Sequence, residues 1–221
     1  MRRFFYSTLQ KPDVRCLFEV WHEILKWYEE GNPGDLPYWY LERTNVGHLA
    51  LAVYDLSGFP LQEFSIRKGR GAKRSPGRAD LYVDVPSSRS TSGRPYNFNV
   101  EAKQVWCSVA LGGQQEGTIR RALGAVVRDC KDLKDKAWEA KHKVALLFVL
   151  PYREVHGERA RVLEDELRLF RKDIKIIARD LDASFVTGHF ADIQVSRKVL
   201  ANEGKKKYWC PGIVAIGKVL N

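Results

Sequence analysis

Arg78-Ala79-Asp80-Leu81-Tyr82-Val83-Asp84-Val85 and Tyr96-Asn97-Phe98-Asn99-Val100-Glu101-Ala102-Lys103 decide the fold. Both stretches alternate apolar and polar residues with a period of two, the pattern of a strand with one face on a core. The polar stretch 86–95 between them reads as a loop, so the pair is a β-hairpin. Closed symmetrically, it sets Val85 opposite Tyr96 and Asp80 opposite Glu101. Asp80, Tyr82, Asp84, Asn97, Asn99, Glu101 and Lys103 then share one face. Leu81, Val83, Val85, Phe98, Val100 and Ala102 share the other.

The polar face carries a chemical possibility. Two carboxylates on neighbouring strands can hold a hard divalent cation, which takes oxygen ligands and keeps several waters. Such a cation acidifies bound water and neutralises charge on a phosphodiester. Lys103 points the same way and can position or deprotonate a water, or stabilise developing negative charge. The alternative is a solvated strand face with a cross-strand ion pair.

Asp80, followed by Glu101-Ala102-Lys103 at the end of an apolar strand, resembles the PD-(D/E)xK nuclease superfamily. The resemblance spans about residues 36–131. It implies a restriction-endonuclease-like fold, with the aspartate on the second core strand and the Glu-x-Lys triplet on the third. It also implies Mg²⁺ or Mn²⁺ at Asp80 and Glu101, joined by a glutamate from the preceding helix. Glu42, in Tyr40-Leu41-Glu42-Arg43-Thr44-Asn45, is the candidate for that glutamate, and Lys103 is the residue that would orient the water. One departure is that Ala79 stands where the family signature has proline.

The chain has 221 residues, a formal net charge of +10 and 44% hydrophobic residues. That size can bury a full core without disulfides, and the positive charge favours a polyanionic partner. The basic residues gather: 67–78 holds Arg67, Lys68, Arg70, Lys73, Arg74 and Arg78, three glycines and no acid. This reads as a loop for phosphate contacts or as a merely solvated one. Arg120 and Arg121, on the helix after the Glu-x-Lys strand, are further candidates, with a solvated helix face as the alternative. Cys16, Cys107, Cys130 and Cys210 show no metal or redox spacing. Scattered cysteines and the absence of a signal or membrane-spanning stretch lead to the expectation of a cytoplasmic chain. The five histidines show no metal spacing either.

Along the chain, 13–30 reads as an amphipathic helix, with Asp13 as its cap, and about 37–54 as a second with Leu41, Val46 and Leu49 inward. Glu19 and Glu23, on the first helix, rival Glu42, but a solvated face accounts for them. The first strand is expected at 61–67 and a third helix at 118–131. A strand buried on both faces is expected at 143–150, closed by Pro151. The remaining expectations are a helix at about 158–172 and strands at 174–178, 183–190 and 209–219.

The expected architecture is one α/β domain with a mixed central sheet flanked by helices. Residues 1–35 would be a helical elaboration, 36–150 the catalytic core, and 151–221 the completion of the sheet. The expected function is a metal-dependent nuclease, a DNA endonuclease of restriction or phage-defence type, with a homodimer as one possible assembly. Two rivals remain: a non-catalytic nucleic-acid-binding module on the same fold, and a basic assembly protein docking an acidic partner.

Overall fold

The computed structural model describes residues 3–7, 14–32, 35–68, 75–89, 95–109, 115–133, 140–156, 160–191, 200–203 and 206–220. The two stretches that open the sequence reading become β3 (Ser75–Val85) and β4 (Tyr96–Ser108), paired antiparallel with Val85 opposite Tyr96. Leu81, Val83 and Val85 are fully buried. Burying each is worth about 1.5–3 kcal/mol, and a one-residue slip would turn all three to the opposite face of the sheet.

Around this hairpin the described chain runs β1 (Arg3–Ser7), α1 (Val14–Gly31), α2 (Glu42–Asp55), β2 (Phe59–Lys68), β3, β4, α3 (Gln115–Lys131) and β5 (His142–Glu154). It continues through α4 (Ala160–Asp180), β6 (Phe185–Phe190), β7 (Leu200–Glu203), β8 (Lys206–Trp209) and β9 (Gly212–Leu220). The sheet order is β1-β6-β9-β5-β4-β3-β2, with β8 joined to the end of β5 and β7 to β8. Only β4 and β5 pair in parallel among the described residues; the other pairings are antiparallel, so the sheet is mixed. One core lies between the sheet and α1–α2, and a second between the sheet and α3–α4. The fold is a layered α/β domain.

Several expectations need correction. The second helix starts at Glu42, not near 37. Asp35 accepts the Leu36 N–H at 2.8 Å and the hydroxyls of Tyr28 and Tyr40 at 2.7 and 2.8 Å, which ties 35–40 into a turn. Leu41, expected inward, is the extended residue before the helix and is 74% exposed. The strand expected at 174–178 is the C-terminal part of α4. Ile174, Ile177 and Ala178 continue the buried stripe of Leu163, Leu167 and Phe170 at helical spacing.

Pro151 does not close β5. The strand passes through it to Glu154, because β9 pairing ends at Val149 and β8 pairing begins at Arg153. Proline's missing N–H therefore falls where β5 changes partner. The N-terminal segment is not purely helical: β1 forms the sheet edge beside β6. A Cβ on Gly188 of β6 would sit 2.6 Å from the Phe4 ring, so only glycine lets β1 lie this close. Within the basic stretch 67–78 the described residues are strand: Arg67 and Lys68 end β2, and Arg78 lies on β3. Arg70, Lys73, Arg74 and the proposed cap Asp13 lie outside the described residues.

Candidate metal-dependent active site

The regular β3–β4 pairing stops at Leu81↔Val100, one residue short of the expected Asp80–Glu101 pair. Both β3 and its outer neighbour β2 slip in phase at this level. Leu81, Val83 and Val85 face the α1–α2 core, whereas Ala79 belongs to the α3–α4 core. On β2, Leu61 and Phe64 both pack on the α3–α4 side, and Glu63 between them has φ 47°. That left-handed backbone is strained for a glutamate. The single polar face expected from strict alternation therefore does not extend unbroken through Asp80.

The slip gives the Asp80 carboxylate a new place. Its Oδ2 accepts the backbone N–H of Ala102 at 2.6 Å, taking up a donor on β4. Glu42 opens α2, behind Leu41, which has no side chain able to cap it. The Glu42 carboxyl is held above its ordinary range, first by burial and then by the negative charge of Asp80. The backbone N–H of Gln104 and the charges of Lys103 and Arg43 work against that rise. Glu101 is 5% exposed, and its charge acts on Lys103, as does that of Glu42. The structure thus places Glu42, Asp80, Glu101 and Lys103 in one electrostatic neighbourhood where β3 leaves β4.

Sequence reasoning missed four contributors. Asp129, on α3, holds the Lys103 amine at 2.9 Å. This hydrogen bond is the main reason the Lys103 pKa lies above its ordinary value, with burial opposing it. Asp129 borders the buried positions Val126 and Cys130 in a helix turn otherwise rich in arginine and lysine, which was the available signal. Gln104 accepts from Asn45 Nδ2 at 2.8 Å and donates to the Tyr40 carbonyl at 2.9 Å, tying β4 to the start of α2. Buried Asn45 is the second half of that tie. Glu63 bridges Arg43 at 2.8 Å and Arg78 at 3.1 Å on the rim.

The basic candidates divide. Arg78 is engaged by Glu63, and Arg120 pairs with Glu116 at 2.6 Å. Both are exposed pairs, worth about 0–1 kcal/mol, which a phosphate can displace. Arg121 is exposed on the same helix. Because β5 is parallel to β4, α3 runs back along the sheet, and its first turns lie toward the C-terminal end of β4.

No group of three or more His, Cys, Asp or Glu among the described residues is arranged to hold a metal ion. The donors at the fork are carboxylates, which suit Mg²⁺ or Mn²⁺ and not a thiolate-seeking metal. Mg²⁺ commonly uses only one or two protein carboxylates and fills its octahedron with waters and phosphate oxygens.

A cleft of about 530 Å³ lined by residues including His22, Glu19, Glu23 and Asp55 contains none of the four candidate residues. No helix among the described residues is long and apolar enough to cross a membrane. Comparison of the chain with protein-family models, curated proteins and solved structures finds no match.

Proposed function

We propose that this chain is a metal-dependent nuclease hydrolysing phosphodiester bonds, a DNA endonuclease of restriction or phage-defence type. One observation carries the reading: where two core strands part, Asp80 and Lys103 act on Glu42, Glu42 and Glu101 act on Lys103, and Asp80 is bonded to the β4 backbone. The element order supports it. Helix α2 leads an antiparallel β2-β3-β4 meander, and α3 then crosses to β5, parallel to β4. That order fits the restriction-endonuclease-like core which the sequence resemblance implies. The net charge of +10 suits a polyanionic substrate.

Asp80 and Glu42 would hold Mg²⁺ or Mn²⁺; Glu101, whose charge acts on Lys103, is the third candidate carboxylate beside them. The cation, when bound, supplies Lewis-acid polarisation of the scissile phosphate and a more acidic water. The chain's own residues do the rest. Asp80 is aimed by its bond to the Ala102 N–H. Glu42 is aimed by the Gln104 N–H. Lys103, kept protonated by Asp129, orients the attacking water and offsets charge on the phosphate; its raised pKa makes it a poor proton acceptor.

The test is cleavage of plasmid, linear duplex and single-stranded DNA with Mg²⁺, Mn²⁺ or EDTA, by the wild type, Asp80→Asn and Lys103→Ala. Metal-dependent cutting that both variants lose supports the proposal. DNA binding that needs no metal, without cutting by any form, would leave the binding-module reading in its place.

A further inference from the structure

Beside the fork runs a line of four aromatic rings. Trp39 meets Trp106 with ring centroids 4.7 Å apart, Trp106 meets Tyr152 at 6.2 Å, and Tyr152 meets Tyr208 at 5.9 Å. The interplanar angles are 69°, 72° and 71°, so each ring stands edge-on to the last. Three rigid strands, β4, β5 and β8, carry the last three rings, with Ser108↔Tyr152 and Glu154↔Tyr208 fixing the register.

We propose that this line is a stacking track for unpaired nucleotides, so that the preferred substrate is single-stranded beside the bond that is cut. The proposal rests on the nuclease reading for the cut itself, not for the binding.

Three observations carry it. The first is exposure. A purely structural aromatic cluster would sink from water, as Trp21 and Trp209 do at 0%. Trp106 is instead 38% exposed, and Trp39, Tyr152 and Tyr208 are each half-buried, anchored on one side and open on another. The second is continuity with the site. Gln104 donates its N–H to Glu42 and its side chain to the Tyr40 carbonyl, and Trp106 is the next residue on that face of β4. Trp39 directly precedes Tyr40. A strand lying on the rings would therefore lead to the start of α2, where Glu42 sits, while Glu101 and Lys103 alternate to the α3 side of β4.

The third is charge. Exposed Arg43 follows Glu42 at one end of the line. Lys206, 59% exposed, and exposed Lys207 directly precede Tyr208 at the other, with Lys206 paired to Glu154 at 3.2 Å. These cations can follow a phosphate backbone while the rings take bases. Bases inside a duplex already stack on one another and offer no face, whereas every unpaired base has one, so such a track is indifferent to sequence.

The experiment uses the full chain in EDTA with labelled oligo-dT and a random-sequence duplex. The expected result is quenching of tryptophan fluorescence by oligo-dT and an affinity for it that falls about tenfold or more in Trp106→Ala and in Tyr152→Ala. Trp106→Phe should retain most of that affinity, and the duplex affinity should change less than twofold. Oligo-dT carrying 5-bromodeoxyuridine should photo-crosslink the wild type within 96–108 or 142–154, a readout independent of whether the alanine variants fold. Unchanged oligo-dT affinity in the folded variants, or crosslinks confined to other segments, overturns the proposal. So does a dimer that Trp106→Ala dissociates, because the rings would then be covered by a second copy. Binding along the track without cutting in Mg²⁺ would retire the nuclease reading and leave this one standing.

Discussion

The Asp80 carboxylate accepts the Ala102 backbone N–H at 2.6 Å, so one side chain both replaces a strand hydrogen bond and carries a candidate metal ligand. Asp80→Ala leaves a donor on a 2%-exposed residue without that acceptor, which costs about 1–3 kcal/mol. Asp80→Asn keeps an oxygen there. Both variants should lose cleavage. Only Asp80→Ala should also melt lower, by about 4–8 °C for a loss near 2 kcal/mol. Equal melting temperatures in calorimetry would remove the structural half of this role.

Asp129 raises the Lys103 pKa and locks its amine. In Asp129→Asn the lysine should lose its proton at lower pH, so the alkaline limb of the cleavage-rate profile should move down. Lys103→Ala should abolish cutting and leave DNA affinity within about twofold, because one lysine neutralises a small share of the phosphates. An unmoved alkaline limb in Asp129→Asn would separate Asp129 from the chemistry.

Glu42 is a group whose charge the metal-free fold tolerates poorly. Burial and Asp80 raise its pKa, so the folded state holds the proton more tightly than the unfolded chain does. Its contribution is therefore most favourable at low pH and is lost as pH rises through the folded pKa. Glu42→Gln should raise the neutral-pH melting temperature in EDTA, by on the order of 1–2 °C given its partial exposure. The same change should raise the Mg²⁺ concentration needed for half-maximal cleavage. A lower melting temperature in EDTA would mean that Glu42 is held chiefly by its cationic neighbours.

Acid should act through His22. Burial, then the charges of His189 and Arg3, push its pKa from 6.5 to about 3. It bonds the Thr187 hydroxyl at 2.8 Å. The unfolded chain takes up a proton that the fold refuses, so stability is intact above about pH 6.5 and falls from there toward pH 3. Between pH 6.5 and 5 the loss from this group approaches about 2 kcal/mol. Urea midpoints should show a shallower pH slope in His22→Gln than in the wild type.

The basic β2–β3 hairpin should control affinity and not rate. Arg70→Ala with Lys73→Ala and Arg74→Ala should weaken DNA binding and reduce the slope of log K against log salt by about 0.9 for each phosphate no longer neutralised. Cleavage at saturating DNA should change little. A titration series in potassium chloride reads the slope directly.

The hairpin register was legible because six apolar residues on alternate positions, Leu81, Val83, Val85, Phe98, Val100 and Ala102, flank a polar loop and admit only one buried arrangement. Helix α1 was legible from its apolar stripe, as was the buried run of β5. The phase slip was not, since Glu63 has no sequence mark of a positive φ. The late start of α2 depends on Asp35 gathering distant hydroxyls, which local propensity does not record. Asp129 reaches Lys103 only through the packing of α3 on β4. Alternation brought Asp80, Glu101 and Lys103 forward as candidates, but its assignment of all three to one flat face failed at the slip.

The pairing of β1 with β6 joins Phe4 to Gly188 across nearly the whole chain, and the Thr187 hydroxyl adds a bond to the Phe4 carbonyl at 2.8 Å. During synthesis β1 is made well before β6 and cannot find its place until β6 has left the ribosome. Until the two strands pair, the Phe-Phe-Tyr run of β1 has no neighbour, and β6 presents a bare edge with every residue meant for the interior. This long-range pairing, the kind that folds slowly, lies away from the cluster of charges, at the seam between β1 and β6.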